Sequence, residues 1–285
     1  MLKTIPGDQA SRLRATAPSH RSWSVAVTSG KGGVGKTSLA VNLALALARA
    51  GERTHLVDGD LGLANVDVLL NLHPRLSLRE VIAEGKPLED IIVHGPAGLD
   101  VIPAASGVEA LADLGGKARQ LLLSELQSLS LRADVTILDT GAGLSGTVLA
   151  LTLAADEVII VTTPEPTAIT DAYAMVKVLT RRRPGLPLQL VVNLAEHAAQ
   201  AREVHGHLER IIQRFLGREV PLAGWIPRDE CVGRAVREQR PLVLYFPHAR
   251  ASEAILGLAS RLGRRADPGD RREFWQRLIE SSEEA

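Results

Sequence analysis

Nine consecutive residues, Gly30-Lys31-Gly32-Gly33-Val34-Gly35-Lys36-Thr37-Ser38, have the types and spacing to grip a triphosphate. Glycine, four free positions, then Gly-Lys-Thr is the P-loop pattern, and it has meaning only between a strand and a helix. That context is present: an apolar stretch, Trp23 to Val27, precedes the run, and an alanine- and leucine-rich stretch, Leu39 to Ala50, follows it. The glycines accept backbone angles that other residues resist, so consecutive N–H groups can turn inward around phosphate oxygens. The helix that follows adds the positive end of its dipole. Lys36 is placed to reach the β- and γ-phosphates, and the Thr37 hydroxyl to hold Mg²⁺. ATP and Mg²⁺ are the expected ligands. Lys31 occupies a position the general pattern leaves free, and alone it reads as a solvated loop lysine.

Two further marks carry carboxylates. Leu56-Val57-Asp58-Gly59-Asp60 ends an apolar run, and buried strands carry few acids, so two at a strand tip point to chemistry or to a capped turn. Asp60 suits orientation of an attacking water, and Asp58 suits support of Mg²⁺ through its water shell. In Ile137-Leu138-Asp139-Thr140-Gly141-Ala142-Gly143, Asp139 suits a magnesium contact at a strand end. Gly141 and Gly143 would let the backbone close on a γ-phosphate as a switch. His205 and His207 lack surrounding Cys, Asp and Glu ligands, so a metal site there is not expected. Cys231 has no neighbouring His in sequence to activate it as a nucleophile.

The elements that must position these residues can be read from the alternation of patterns. Strands are expected at Ser24–Thr28, Thr54–Val57, Asp100–Ile102, Val135–Leu138, Glu157–Thr162, Leu188–Val192 and Leu222–Trp225. Helices are expected at Lys36–Ala50, Lys117–Ser130, Ser145–Ala154, Ile169–Arg181, Ala198–Phe215 and Ala251–Leu262. Alternating apolar strands and helices imply an α/β fold: a mostly parallel sheet covered by helices on both faces, its ligand site at the C-terminal strand ends. Residues 1–20 read as a mobile arm, 21–265 as the nucleotide-binding domain and 266–285 as an amphipathic tail. A hydrophobic content of 45% over 285 residues is ample for a core. Charge is balanced, 33 basic against 33 acidic side chains, so no global field recruits nucleic acid. One cysteine excludes an internal disulfide framework and points to a reduced cytoplasm. The first twenty residues lack the apolar core of a secretory signal, and Asn42, Arg49 and Glu52 keep the apolar Leu39–Ala48 stretch short of a membrane span.

With Lys31 included, the loop KGGVGKTS resembles the deviant Walker A motif of the MinD/ParA ATPases. The resemblance implies an ATP-dependent homodimer in which Lys31 of one subunit reaches phosphates held by the other, making Lys31, Lys36 and Asp60 the catalytic residues. Asp58 through Asp67 resembles the switch I region of MinD-type proteins. Ile102 through Gly107, Asp139 through Gly143 and Pro164 through Tyr173 are similar to the flagellar-number regulators called FlhG or FleN, over most of residues 22–265. Asn193 follows a strand where its amide could meet an adenine edge, and Pro227-Arg228-Asp229 could wall the same pocket. Turn chemistry is the alternative for each, and the resemblance favours nucleotide contacts.

The two ends carry further implications of that family. Asp8-Gln9-Ala10-Ser11-Arg12-Leu13-Arg14 matches its DQAxxLR element, with Asp8, Gln9, Ala10, Leu13 and Arg14 implying stimulation of the flagellar GTPase FlhF. A flagellar transcription activator and rotor switch proteins are further implied partners. Phe274, Trp275, Leu278 and Ile279 fall on one side of a helix. They imply reversible binding to an anionic membrane surface at the inner face of the cytoplasmic membrane, possible at cell poles; docking on the domain's own surface is the alternative. DNA is not an expected partner, and Arg181-Arg182-Arg183 reads as a charged helix end. The rival functions are a cell-division or partition ATPase, and a nucleotide-stabilised interaction module without meaningful turnover.

Overall fold

A computed structural model describes residues 23–60, 65–77, 80–81, 84–103 and 132–263. The arm with Asp8, Gln9, Ala10, Leu13 and Arg14, the helix expected over 117–130, and the tail with Phe274, Trp275, Leu278 and Ile279 lie outside the described residues.

The strands are β1 (Trp23–Ser29), β2 (Thr54–Gly59), β3 (Val93–His94), β4 (Asp100–Pro103), β5 (Val135–Ala142), β6 (Glu157–Thr162), β7 (Leu188–Ala195) and β8 (Leu222–Pro227). They form one sheet in the order β3-β4-β2-β5-β1-β6-β7-β8. Every neighbouring pair is parallel except β3 with β4. The helices are α1 (Lys36–Arg49), α2 (Val66–Leu70), α3 (Gly146–Ala154), α4 (Pro166–Arg182), α5 (Ala198–Leu216), α6 (Glu230–Arg237), α7 (Leu242–Tyr245) and α8 (Arg250–Gly263). The expected parallel sheet with two covered faces is therefore present. The expected strands are found, several running one to four residues further toward the C-terminal edge. The short β3, α2, α6 and α7 were not foreseen, because elements of this length carry less than one clear hydrophobic period.

Side-chain alternation sends each strand into two cores. Trp23, Val25 and Val27 of β1 face one side and Ala26 the other; Ile159 and Val161 of β6 join the first, Val158 and Ile160 the second. The first core is closed by α1 and α8, the second by α3, α4 and α5. Helix α1 is apolar nearly all round, with Leu39, Leu43, Leu45 and Leu47 at 2% exposure or less. Such a helix is stable only when enclosed, here between the sheet and α8. At the opposite rim from the P-loop, Ser24 N and Oγ donate to Asp156 Oδ2 at 2.9 and 2.7 Å, joining β1 to β6. At the β8 edge, Arg261 Nη2 donates to the Ala223 carbonyl at 2.9 Å.

Candidate functional site

The P-loop leaves β1 after Ser29 and enters α1 at Lys36, at the C-terminal edge of the sheet. Gly35 is the N-cap of α1, at φ 83°, with no side chain capping the helix. The first N–H groups of α1 therefore have no internal acceptor and are available to phosphate oxygens. A Cβ on Gly35 would stand 2.4 Å from Asn193 Nδ2, so a larger residue would displace that amide as well as strain the backbone angle.

Asn193, expected to meet an adenine edge, has a role in holding the loop. Its Nδ2 donates to the Val34 carbonyl at 2.7 Å, and its Oδ1 accepts from Leu194 N at 2.9 Å. Leu194, next to the end of β7, sits in the left-handed region at φ 57°. Pro227, opposite Ala195 in the β7–β8 register, and Arg228, whose N–H donates to the Ala195 carbonyl at 2.9 Å, stand beside this same corner. Asp229 caps α6 through Cys231 N at 2.9 Å and accepts from Ala251 N of α8 at 3.1 Å. In this arrangement its carboxylate joins two helices.

The carboxylates meet as the register dictates. Asp58 of β2 and Asp139 of β5 are directly paired across the sheet. Lys36 Nζ contacts Asp139 Oδ1 at 3.0 Å, with both side chains buried. Burial raises the Asp139 pKa, against the pull of Lys36 and Thr37, both of which favour its ionised form. Asp58 is pushed up to about 7 by burial and then by the neighbouring Asp139 charge, although the Asp60 and Val66 backbone N–H groups oppose the shift. Asp60 Oδ1 lies 3.5 Å from where a Cβ on Gly141 would stand, so the residue after β2 approaches the C-terminal end of β5. Gly143, at φ 88°, donates its N–H to the Ser29 carbonyl at 2.9 Å, tying the turn after β5 to the end of β1.

Asp139 Oδ2 is buried and has no hydrogen-bond partner. An orphaned carboxylate oxygen next to a buried lysine and Thr37 is what a hard cation satisfies, so the residues present fit Mg²⁺ bound jointly with phosphates. Among the described residues no group of three His, Cys, Asp or Glu forms a self-sufficient metal cage.

Lys31 occupies a position sequence patterns did not foresee. Its Nζ lies 2.5 Å from Glu165 Oε2 and 2.8 Å from Thr167 Oγ1, at the start of α4. The pair keeps the exposed Glu165 carboxyl below the usual carboxylate range. Glu165 is 134 residues away in sequence, and no local periodicity could join the two. Its only signal was position, in the Pro164-Glu165-Pro166 turn after an apolar strand. His205 Nε2, by contrast, meets the Val220 carbonyl at 2.9 Å, a packing contact far from these groups in sequence.

The family model "ParA: NUBPL iron-transfer P-loop NTPase" matches residues 22–263. The chain is 40% identical over 260 residues to antiactivator FleN of Pseudomonas aeruginosa, covering 90% of this chain and 93% of that one. It is 34% identical over 247 residues to flagellum site-determining protein YlxH of Helicobacter pylori, covering 86% and 83% respectively. Among solved structures, septum site-determining protein MinD of Pyrococcus horikoshii, complexed with Mg-ADP, is similar at TM-score 0.67 and 27% identity, over 85% of this chain and 96% of that one.

Proposed function

Since the chain belongs to the ParA family of P-loop NTPases, we propose that it is a Mg²⁺-dependent ATPase switch that regulates flagellar number and placement. The observation that carries the flagellar reading is the likeness to FleN, which runs through the P-loop and both switch segments rather than one motif. YlxH, named for determining the flagellar site, supports the same reading.

The chemistry follows from the residues in place. The free N–H groups at the start of α1 and the Lys36 ammonium bind the phosphate tail. Thr37 and Asp139 would hold Mg²⁺, with Asp58 supporting its water shell; the ion neutralises charge developing on the phosphates. Asp60 orients the attacking water toward the γ-phosphate, and Gly141 and Gly143 let the second switch close. Lys31 leaves Glu165 and reaches the phosphates of a second subunit, so two chains share two nucleotides face to face. Hydrolysis of ATP to ADP and phosphate separates them. Turnover is slow because each cycle includes assembly and separation. The DQAxxLR arm, through Asp8, Gln9, Leu13 and Arg14, stimulates the flagellar GTPase, and the tail residues Phe274, Trp275, Leu278 and Ile279 seat the dimer on anionic membrane.

Asp60→Ala is expected to dimerise with ATP by size-exclusion chromatography but release little phosphate, whereas Lys36→Gln is expected to lose dimerisation. Normal turnover by Asp60→Ala would remove Asp60 from the mechanism. Deleting the gene is expected to change the number of flagella per cell; an unchanged count would favour a MinD-type division role, which the fold likeness to MinD also supports. The iron transfer named by the family model is less suited, because bridging an iron–sulfur cluster needs several thiolates and this chain has one cysteine.

A further inference from the structure

Away from the nucleotide site, the end of α6 and the short α7 present an unusual surface. The run Arg234-Ala235-Val236-Arg237-Glu238-Gln239-Arg240 places three arginines against a single acid. Helix α6 stops in a left-handed turn at Gln239, φ 52°, and Arg240 N donates back to the Ala235 carbonyl at 2.9 Å. This turn carries Arg240 over the ring of Tyr245, guanidinium carbon to ring centroid 5.0 Å. Arg234 lies over Phe246 at the same distance.

Arginines laid on aromatic faces have already given up much of their rotamer freedom, so their donor edges are presented at low further entropic cost. Arg234 has only a 4.0 Å approach to Glu238, and Arg237 and Arg240 have no ion pair among the described residues. Between them sit exposed apolar groups: Val236 is 44% exposed and Tyr245 is 53% exposed. Arginine and tyrosine around an aliphatic centre is the composition of a protein-binding hot spot. Phosphate backbones would use the guanidinium groups but have no partner for Val236.

The surface is also anchored to the P-loop helix. Val243 N of α7 donates to Asn42 Oδ1 at 3.0 Å, and Arg49 Nη1 donates to the Val243 carbonyl at 2.8 Å. Asn42 in turn donates to the Ser38 carbonyl at 2.7 Å, two residues after the P-loop lysine. A partner seated on α7 thus bears on the helix that holds the phosphates.

We propose that Val236, Arg237, Arg240 and Tyr245 form the docking surface for an acidic protein segment that carries aromatic or aliphatic residues between its carboxylates. The recognition chemistry is guanidinium to carboxylate, with the Tyr245 ring and Val236 packing against the intervening side chains.

The test uses the full chain and a fluorescein-labelled random copolymer of glutamate and tyrosine, read by fluorescence anisotropy. The paired substitution R237E/R240E is expected to weaken binding about tenfold. Val236→Ser, which keeps every charge, is expected to weaken it by a smaller factor, and polyglutamate is expected to bind less well than the copolymer. R181E/R182E at the end of α4 is expected to stay within about twofold of the parent, because exposed charges elsewhere contribute little. Melting curves check that the variants fold, and Val236→Ser keeps the proposal open to refutation if the double variant does not. Equal copolymer binding by the parent and R237E/R240E would overturn the proposal. So would a preference for short duplex DNA that the pair abolishes, or loss of ATP-dependent self-association in that pair, which would assign the surface to nucleic acid or to a second copy.

Discussion

Asp58 and Asp139 stand side by side because the β2–β5 register pairs them, and two buried carboxylates in that position cannot both ionise without cost. The Asp58 pKa of about 7 lies above its unfolded value of 3.8, so between those limits the native chain binds more protons than the unfolded one. Its contribution to stability is therefore full at the acid end and lost as pH rises through about 7. The nucleotide-free chain is expected to melt at a higher temperature at pH 6 than at pH 8. Asp58→Asn is expected to flatten that slope and to raise stability at pH 8 by on the order of 1–3 kcal/mol. Thermal unfolding across this pH range checks it, and a parent-like slope in the variant would transfer the effect to other groups.

Elements differ in how far the sequence announces them. The P-loop was legible because its chemistry is consecutive, and β1, β5 and β6 because continuous apolar runs end at polar residues. Helices α1 and α5 were legible because they are long, and α5 stops at Gly217, φ 59°. The contact of Lys31 with Glu165 and of Asn42 with Val243 was not legible, since each joins residues over a hundred positions apart. Asp229 shows the converse: a residue read as a nucleotide wall joins α6 to α8 through its two oxygens. The Asn42 tie gives an element-scale expectation. Asn42→Ala strands the buried Val243 N–H, which costs about 1–3 kcal/mol. Urea unfolding checks it; an unchanged midpoint would mean that α7 is not held through this bond.

At the scale of the whole molecule, the proposed sharing of Lys31 between subunits has a direct consequence for mixtures. Lys31→Ala and Asp60→Ala chains are each expected to be inactive alone. Mixed in equal amounts with ATP, a mixed pair keeps one complete site: Asp60 from the first chain and Lys31 from the second. Random pairing then restores about a quarter of parental phosphate release. No recovery in a mixture that forms mixed pairs would place Lys31 action within its own chain. The sheet edges bear on why such an assembly would stop at two. β3 is only two residues long, while β8 follows Pro221, ends on Pro227 and has its Ala223 carbonyl taken by Arg261. Short, proline-flanked or occupied edges discourage strand-to-strand addition. The proposed cycle of pairing and parting would thereby be kept from growing into fibres, with self-recognition left to the face that carries the nucleotide.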